Sequence, residues 1–431
     1  MTECECNRID LFRQIKKEIR GNGDYLIVGI DIAKEKHHAF FGNANGHTIL
    51  KKLVFENSQP GFEKLITHTE EKKARLSLNK VVFGIEPTAN YHKSLGEYLV
   101  NRGYSLVMVS ANATVKNREL LDGRWDKNDM KDSANVADLI AQGKCLYYDH
   151  ATPTIRELRS LLSLKRKLKK VEHSTRMRIR NHLIPQFFPE LDAYFSSYTE
   201  GCLSVIKHCF DPREISQRPL DDFVSLVTSR PPTRLQWNKL KAIWEAAFHS
   251  VGCEITKGIS FEASMLVDSL RKTITEISAV EREVKSICQS FKEYDYVLSI
   301  PGFGPAITAI TMAAIGDPLR FDNTRQVLKM AGLDLSADRS GKSSNAQIPK
   351  ISKKGKSELR YGLYQAAMIA SSKNLNFMAY FTGLINHRQQ ERGIKTRMRV
   401  KLAAKMLVIA WTLMKKQTYF DPSYLRIKKD T

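Results

Sequence analysis

Two apolar segments that each end in an acid place the strongest constraint on the fold of this chain. The first is the run Tyr25-Leu-Ile-Val-Gly-Ile-Asp31, and the second is Lys80-Val-Val-Phe-Gly-Ile-Glu86. A short, continuous apolar run is typical of a strand that is buried on both faces of a sheet. Each run therefore predicts a buried strand that carries one carboxylate, Asp31 or Glu86, at its end.

The order of the elements around these two strands indicates an α/β domain. Two further strands, at His37–Phe41 and Thr48–Phe55, follow the first directly, so the first three form an antiparallel meander. A helix capped by Ser58 leads to the second acid-ending strand, and helices then alternate with strands to about residue 150. This order is the one expected of a ribonuclease-H-like fold.

Four carboxylates of this domain are candidates for one metal centre. Asp31 and Glu86 lie at neighbouring strand ends, while Asp129 and Asp132 are three residues apart and share one face of a helix. Carboxylates that pack closely repel one another unless a cation neutralises them. Oxygen ligands suit Mg²⁺ or Mn²⁺, and two ions about 4 Å apart are a known arrangement for phosphoryl transfer. The pattern thus predicts a site for two divalent ions.

Spacing alone leaves alternatives for the helical pair of acids. Asp126 precedes Asp129 by three residues and would share its face, and Asp138 lies further along the same segment. Each of these acids is equally compatible with an ordinary surface position at the end of an element. The choice among them does not follow from periodicity.

The charge of the chain indicates a polyanionic partner. Its 68 Lys and Arg residues outnumber 46 Asp and Glu, which gives a net charge of +22 and predicts nucleic-acid binding. There is no apolar run of about 18 residues, the length a membrane helix needs, and the polar N-terminus does not resemble a signal peptide. The seven cysteines are scattered without CxxC spacing, as expected of reduced thiols. We expect a cytoplasmic protein (prokaryotic cytosol or nucleoid) that has no membrane partner.

The middle of the chain is predicted to be helical. Residues 156–180 are strongly basic and carry apolar residues at a spacing of three to four, and a matching stripe runs from Leu266 to Phe291. The two helices are expected to form an antiparallel coiled coil or to pair between subunits, although two amphipathic helices packed on a domain fit as well. For the aromatic residues between them, at 181–261, core packing is the expected role.

The last part of the chain contains two candidates for phosphate contacts. Pro301-Gly-Phe-Gly-Pro305 is predicted to be a hairpin between two helices, and Gly302 and Gly304 would let backbone N–H groups approach a phosphate, as in helix-hairpin-helix proteins. The basic stretch 339–355 is compatible with a nucleophilic serine or with a phosphate-binding loop. Its candidate residues are Ser336, Ser340, Ser343, Ser344 and Ser352, with Arg339, Lys342, Lys353 and Lys354 as possible phosphate contacts.

Ordered motifs at both ends of the chain carry a family resemblance. The N-terminal motifs are Gly29-Ile-Asp-Ile-Ala-Lys34, Gly84-Ile-Glu-Pro-Thr88 and Lys127-Asn-Asp-Met-Lys-Asp132. The C-terminal motifs are Ile300–Pro305, Gly316-Asp317, Arg320-Phe321, Ala331-Gly-Leu333, Ser340-Gly341 and Ile351-Ser-Lys-Lys-Gly355. With these motifs in this order, the chain resembles the IS one-ten family of insertion-sequence transposases, relatives of Piv-type DNA invertases. One departure is Ser133, where the family has Ala.

The resemblance implies a site in two parts. It selects Asp31, Glu86, Asp129 and Asp132 as a metal-binding DEDD set in a RuvC-like domain. It also selects Ser340, the serine before the motif glycine, as the nucleophile. The implied domains are a leader at 1–24, the RuvC-like domain at 25–150, a helical and coiled-coil region at 151–296, and a mostly helical C-terminal transposase domain at 297–431.

The resemblance also implies a reaction and partners. Members look like recombinases that excise and insert a mobile element through a covalent protein–DNA intermediate, guided by an RNA from the element's non-coding end. The implied partners are donor and target DNA, the guide RNA and further copies of the chain, from dimer to tetramer, with composite sites. Alternative functions are a hydrolytic RuvC-like nuclease, such as a junction resolvase, a site-specific DNA invertase, or a non-catalytic nucleic-acid-binding protein.

Overall fold

The computed structural model of this protein describes residues 3–87, 89–122, 129–194, 200–336 and 350–425, with the side chains of 3–7, 120–122, 129, 130 and 336 left out. Two compact units divide the chain, Met1–Thr152 and Pro153–Thr431. The boundary that the sequence predicts between residues 296 and 297 falls inside the second unit and stays a prediction. No helix among the described residues is both long and apolar enough to cross a membrane.

The first unit contains a mixed sheet, which confirms the predicted α/β class. Its strands, within the described residues, are β1 (Tyr25–Asp31), β2 (Lys36–Asn43), β3 (Thr48–Glu56), β4 (Lys80–Ile85), β5 (Ser105–Met108) and β6 (Leu146–Tyr147). They are arranged in the order β3-β2-β1-β4-β5-β6. The meander β1-β2-β3 and the edge pair β5-β6 are antiparallel, while β1, β4 and β5 run parallel. The two acid-ending strands are therefore parallel neighbours.

Helices cover both faces of the sheet. Their bounds are α1 (Glu3–Glu18), α2 (Gln59–Arg75), α3 (His92–Asn101), α4 (Ala111–Asp122) and α5 (Asp129–Ala141). Because side chains alternate along a strand, Leu26, Val28 and Ile30 of β1 join one core with residues of α2 and α3. Tyr25 and Ile27 join a second core with residues of α1 and α5. The continuous apolar run is thus explained by burial on two sides.

The N-terminal segment that the sequence predicts as a leader is part of this core. Ile15 and Ile19 of α1 are buried among residues of the central strands. Arg20 donates from Nε to the backbone oxygen of Gln142 at 2.8 Å, next to the end of α5. Residues before β1 therefore contribute to the stability of the sheet.

α5 packs directly on the backbone of the two central strands. A Cβ atom added at Gly29 of β1 would lie 2.3 Å from the backbone oxygen of Ser133 and 2.6 Å from the nitrogen of Ala137. One added at Gly84 of β4 would lie 1.9 Å from Cδ1 of Ile140. At Gly29 the neighbours are backbone atoms far inside van der Waals contact, so only glycine allows the helix to approach β1 so closely, whereas at Gly84 a larger residue would displace the side chain of Ile140.

The second unit is almost entirely helical within its described residues. Its helices are α6 (Pro153–Arg178), α7 (Ile184–Phe187), α8 (Glu200–His208), α9 (Pro212–Ser216), α10 (Leu220–Val227), α11 (Arg234–Ala247), α12 (Lys257–Gln289), α13 (Tyr294–Leu298), α14 (Pro305–Ile315), α15 (Thr324–Ala331), α16 (Ser357–Lys373), α17 (Leu375–Ile385) and α18 (Ile394–Lys416). A π-helix at Ile179–Leu183 and short 3₁₀ helices at Pro189–Tyr194 and Pro318–Arg320 lie between them, and a further 3₁₀ helix at Pro422–Leu425 follows α18. Two short strands, β7 (Leu335–Ser336) and β8 (Lys350–Ile351), form a small antiparallel pair.

The two long helices with apolar stripes pack against each other in antiparallel directions. Lys165 of α6 pairs with Glu281 of α12 at 2.8 Å, and Arg178 pairs with Glu262 at 2.7 Å. Residue numbers increase along α6 as they decrease along α12, so the two helices run in opposite directions. Leu158 and Leu162 share a core with Val280 and Val284. The antiparallel pairing agrees with the sequence, while coiled-coil supercoiling stays a prediction.

The region between the long helices forms a core of its own. Phe187 and Phe188 are buried there together with residues of α8, α10 and α11, and Trp237 and Trp244 pack against its edge. The indole nitrogen of Trp244 donates to the backbone oxygen of Arg218 at 2.9 Å. These aromatic side chains therefore stabilise the second unit, as the sequence predicts.

Gly29→Ala is expected to destabilise the first unit strongly, because the new methyl group would push α5 off β1. Overpacking of this kind costs about 1–3 kcal/mol or more in the free energy of unfolding. Thermal and urea unfolding measure the change. The control is Gly23→Ala in the same unit, where an added Cβ meets only the side chain of Asn45, at 3.3 Å. Equal stability of the two variants would contradict the close packing of α5.

Candidate active site

Two of the predicted acids follow neighbouring parallel strands at the same end of the sheet. Ile30 of β1 pairs with Ile85 of β4 in the parallel ladder, so Asp31 and Glu86 follow at equivalent positions of neighbouring strands. Both are partly exposed, whereas the strand residues before them are buried. Their carboxylates are therefore accessible at the carboxyl end of the sheet.

The third acid is placed by the packing of α5. Ser133 forms the close backbone contact with Gly29, and Asp132 directly precedes it, whereas Asp31 lies two residues beyond Gly29. The contact thus brings Asp132 to the part of the sheet where β1 ends. Its side chain is only 7% exposed. Burial of a carboxylate at this point requires a cationic or hydrogen-bonding partner.

The fourth acid is described only by its backbone. α5 begins at Asp129, three residues before Asp132, so helical geometry places both on one face. Asp126 lies outside the described residues. Asp138 accepts hydrogen bonds from Asn117 Nδ2 and Gln142 Nε2, both at 2.7 Å, which gives it a structural role. Among the described side chains, which exclude Asp129, no three acidic, His or Cys residues form a ready cluster for a metal ion.

Sequence reasoning missed the partner of Asp132. Arg118 of α4 donates from Nη2 to Asp132 Oδ1 at 2.5 Å. The neighbouring Asn117 donates to Asn135 Oδ1 at 2.8 Å, and Asn135 donates to the backbone oxygen of Thr114 at 2.7 Å. These contacts join α4 to α5. Because they depend on the packing of two helices, no motif or periodicity could have revealed them.

A buried histidine stabilises the segment that follows Asp31. The backbone N–H of Ala33 donates to His37 Nδ1 at 3.2 Å. The ring of His37 is fully buried and lies against Phe55 and Phe62. Burial lowers the pKa of His37 below its ordinary value, the side chain of Asn57 opposes the shift, and the nearby charge of His38 lowers the pKa further. The neutral ring is the form that accepts the bond from Ala33.

The Pro-Gly hairpin lies between two helices, α13 and α14, but its two glycines have different surroundings. A Cβ added at Gly302 (φ +90°) would lie 2.5 Å from the backbone oxygen of Ala366 in α16. Gly302 therefore serves close packing against α16. Around Gly304, which precedes α14, nothing lies within 4 Å of an added Cβ. Of the two positions, Gly304 has the open surroundings that a phosphate contact needs.

The predicted nucleophile and its neighbours lie outside the described residues, which include neither Arg339, Ser340 and Lys342 nor Ser343 and Ser344. The segments on either side of 337–349 are described, and they are held together. β7 and β8 pair Leu335 with Ile351 and Ser336 with Lys350. The residues that flank this stretch are thus fixed next to each other, and we call the paired strands with their neighbouring residues the stem.

Two glycines of the motifs allow the two arms of this stem to pack closely against each other. A Cβ added at Gly355 would lie 2.5 Å from the nitrogen of Gly332 and 2.5 Å from the oxygen of Met330. Gly332 itself has a left-handed backbone, with φ +67°. Arg360 donates from Nη1 to the backbone oxygens of Ala331 at 2.9 Å and Gly355 at 3.0 Å. The A-G-L and K-K-G motifs therefore bring the two arms of the stem into backbone contact.

The remaining predicted residues of this stretch are on the stem. Ser352 donates from its hydroxyl to Asp334 Oδ1 at 2.5 Å, which assigns it a structural contact. Lys353 (φ +56°) and Lys354 are exposed. Both lysines are accessible to a phosphate at the base of the loop.

A cationic cleft lies next to the stem, and sequence reasoning missed it. The cleft has a volume of about 340 Å³ and lies between α6, the end of α14 and the start of α16. Arg159 Nε donates to the backbone oxygen of Ala313 at 2.8 Å, and Lys356 Nζ to that of Ala314 at 3.3 Å. Arg166, also in the cleft, lies 4.0 Å from Glu358. Three cations and one carboxylate leave the cleft positively charged.

Comparisons with known proteins fit this division into two parts. A family model of DEDD transposases of the IS110 type, described as "Transposase", matches residues 28–189. A second model, "Transposase IS116/IS110/IS902 family", matches residues 294–382. The chain belongs to the IS110 family of transposases. A relative of this transposase is the "Insertion element IS116 uncharacterized 44.8 kDa protein" of Streptomyces clavuligerus, 20% identical over 406 residues, or 93% of this chain and 97% of that protein.

Membership in the family confirms the resemblance drawn from the motifs. This transposase is an enzyme of DNA transposition and recombination, and DNA is its substrate. The first matched segment contains the DEDD candidates, and the second contains Ser340 and the loop stem. The roles of these individual residues stay predictions.

The lowered pKa of His37 predicts a loss of stability in acid. An unfolded histidine takes up a proton near its ordinary pKa of 6.5, while the buried ring takes it up only at lower pH. Unfolding is therefore favoured as the pH falls below about 6.5, by at most about 1.4 kcal/mol for each pH unit between the two pKa values. Unfolding free energies at pH 7.5 and pH 5 measure the loss, and His37→Asn should reduce it.

His249→Asn provides the control for this prediction, because His249 is exposed. This variant should keep the full wild-type loss of stability between the two pH values. An equal loss in His37→Asn would show that another group causes the acid sensitivity.

Proposed function

We propose that this transposase is an RNA-guided DNA recombinase that excises and inserts an insertion sequence with two cooperating centres. One centre is the set Asp31, Glu86, Asp129 and Asp132 in a ribonuclease-H-like, RuvC-like domain, and the other is Ser340. The observation that carries the proposal is the contact between Gly29 and α5. It supports the proposal because Asp132 directly precedes Ser133, the residue whose backbone lies against Gly29, two residues before Asp31.

The acids at this edge fit a divalent metal site. All donors are carboxylate oxygens, which Mg²⁺ and Mn²⁺ prefer, and Asp31 and Glu86 are accessible. We propose that the four acids hold Mg²⁺, or Mn²⁺, with two ions per site. Ions bound there would supply Lewis acidity toward a phosphate and charge stabilisation for the departing oxygen. The chain itself contributes the rigid placement of the carboxylates.

Ser340 is proposed to form the covalent intermediate. Its hydroxyl oxygen forms a bond to phosphorus and gives up its proton, while the bond from phosphorus to one sugar oxygen breaks and that oxygen gains a proton. One phosphoester replaces another, so the energy of the bond is kept for rejoining and no nucleotide cofactor is needed. A serine hydroxyl needs activation, and the candidate phosphate contacts Arg339 and Lys342 lie within two residues of Ser340 in the sequence.

Loss of the Ser340 hydroxyl should abolish the covalent adduct. With labelled DNA that carries an element end, the wild-type chain should give a denaturation-resistant protein–DNA band, and Ser340→Ala should reduce strand exchange by at least about a thousandfold. Peptide mapping of the adduct identifies the attached residue. Ser343→Ala, three residues further along the sequence, is the matched control and should keep the adduct. Cleavage at the parental rate by Ser340→Ala, with free DNA ends, would instead favour a hydrolytic nuclease.

The guide RNA and the assembly of several chains rest on the family resemblance and on the net charge of +22. We propose a dimer or tetramer in which the acids of one copy act with the serine of another. The guide is an RNA from the non-coding end of the element, and it should co-purify with the protein. Full, accurately targeted strand exchange by protein stripped of RNA would contradict the guide.

The cationic cleft is proposed to bind a backbone phosphate of DNA or RNA beside the loop stem. Arg166→Gln removes one of its charges and should reduce the slope of log affinity against log salt by about 0.9 for duplex DNA, or about 0.7 for a single strand. Fluorescence anisotropy with labelled duplex DNA and with single-stranded RNA measures both. The control Arg230→Gln, at an exposed position between α10 and α11, should change neither slope if the cleft carries the contact.

A further inference from the structure

The ion pair between Arg118 and Asp132 has a geometry that leaves part of the carboxylate available. Arg118 donates a single hydrogen bond, from Nη2 to Asp132 Oδ1, at 2.5 Å. Asp132 Oδ2 takes no part in this contact, and Arg118 Nε is buried without a hydrogen-bond partner among the described residues. The pair is therefore not the two-bonded arrangement that a guanidinium and a carboxylate form when each satisfies the other.

The position of Arg118 is fixed by its own helix. The amide of Asn117 bonds to Asn135 and Asp138 of α5, and Asn135 in turn bonds to the backbone of α4 at Thr114. The side chain of Arg118 is only 22% exposed. Two helices joined in this way hold the guanidinium at a constant place relative to α5 and thus to Asp132.

We infer that Arg118 is a positioning residue for the reaction, which fixes the rotamer of Asp132 through Oδ1 and leaves Oδ2 to bind a divalent cation. This inference rests on the proposed function, because it takes Asp132 as a metal ligand. Carboxylates that bind metals are held by hydrogen bonds from neighbouring residues, and loss of such a partner typically weakens metal binding about 10–100-fold.

A competing role for Arg118 predicts the opposite change in metal affinity when the residue is replaced. If Arg118 served as a substitute cation that metal must displace, its removal would tighten metal binding. The single-nitrogen contact favours positioning, because displacement would be needed only if the guanidinium covered both oxygens. The direction of the change in metal affinity therefore decides between the two roles.

The test is the affinity of the full-length, nucleic-acid-free chain for Mn²⁺, measured by calorimetry and by the electron paramagnetic resonance signal of free Mn²⁺. Arg118→Gln should weaken binding about 10–100-fold, and Arg118→Lys, which keeps a donor and the charge, should recover part of the loss. Arg75→Gln, at an exposed position on α2, should bind like the wild type. Unchanged or tighter binding by Arg118→Gln would overturn the inference.

Asp132→Asn separates failure of this inference from failure of the proposed function. If Asp132→Asn binds Mn²⁺ as tightly as the wild type, Asp132 is not a ligand and the proposed metal set is wrong. If Asp132→Asn weakens binding while Arg118→Gln does not, only the positioning role fails.

A melting experiment without metal shows that the variants are folded. Arg118→Gln leaves a buried carboxylate unpaired and should lower the melting temperature by a few degrees, roughly 2–8 °C. The double variant Arg118→Gln with Asp132→Asn should regain most of this loss. Arg118→Lys provides a folded variant for the Mn²⁺ measurement if Arg118→Gln does not fold.

Discussion

The close contact between β1 and α5 determines where the acids of the first unit lie. With no side chain at Gly29, the backbone of Ser133 rests against the strand, and the residue before it, Asp132, is brought to the end of β1. At Gly84 of β4 the side chain of Ile140 occupies the space that a Cβ would fill. Asp31 and Glu86 would follow their strands without these contacts, but Asp132 would not be held beside the end of β1.

Close backbone approach is also the basis of the candidate centre in the second unit. Gly332 and Gly355 bring together the two arms that flank residues 337–349, and Gly302 lets the hairpin rest on α16. These glycines belong to the motifs that carry the family resemblance, and for Gly302 the sequence predicts a phosphate contact. Close packing alone explains why glycine is needed at Gly302, Gly332 and Gly355. Gly304, the other glycine of the hairpin, has no neighbour within 4 Å of an added Cβ.

Cations of this basic chain serve the fold, and the proposed phosphate contact would give some of them a second role. Arg159 and Lys356 bind backbone oxygens at the end of α14, where the helix dipole is negative, yet they retain their full charge toward the cleft. Arg118 holds Asp132, and among the described residues its Nε has no hydrogen-bond partner. Because a neutral backbone oxygen does not cancel the charge of a cation, Arg159 and Lys356 can stabilise the protein and also serve the phosphate contact proposed for the cleft.

Sequence alone determined the features that depend on neighbours along the chain. The apolar runs gave β1 and β4 with acids at their ends, the alternation of elements gave the α/β class, and Ser58 was correctly predicted as a helix cap that accepts from the N–H of Gly61. Only the tertiary structure decided which side chains meet: Arg118 with Asp132, Asn117 with Asp138, Ser352 with Asp334. Periodicity and capping act within a few residues, whereas these pairs join helices or strand ends whose approach is set by packing over the whole unit.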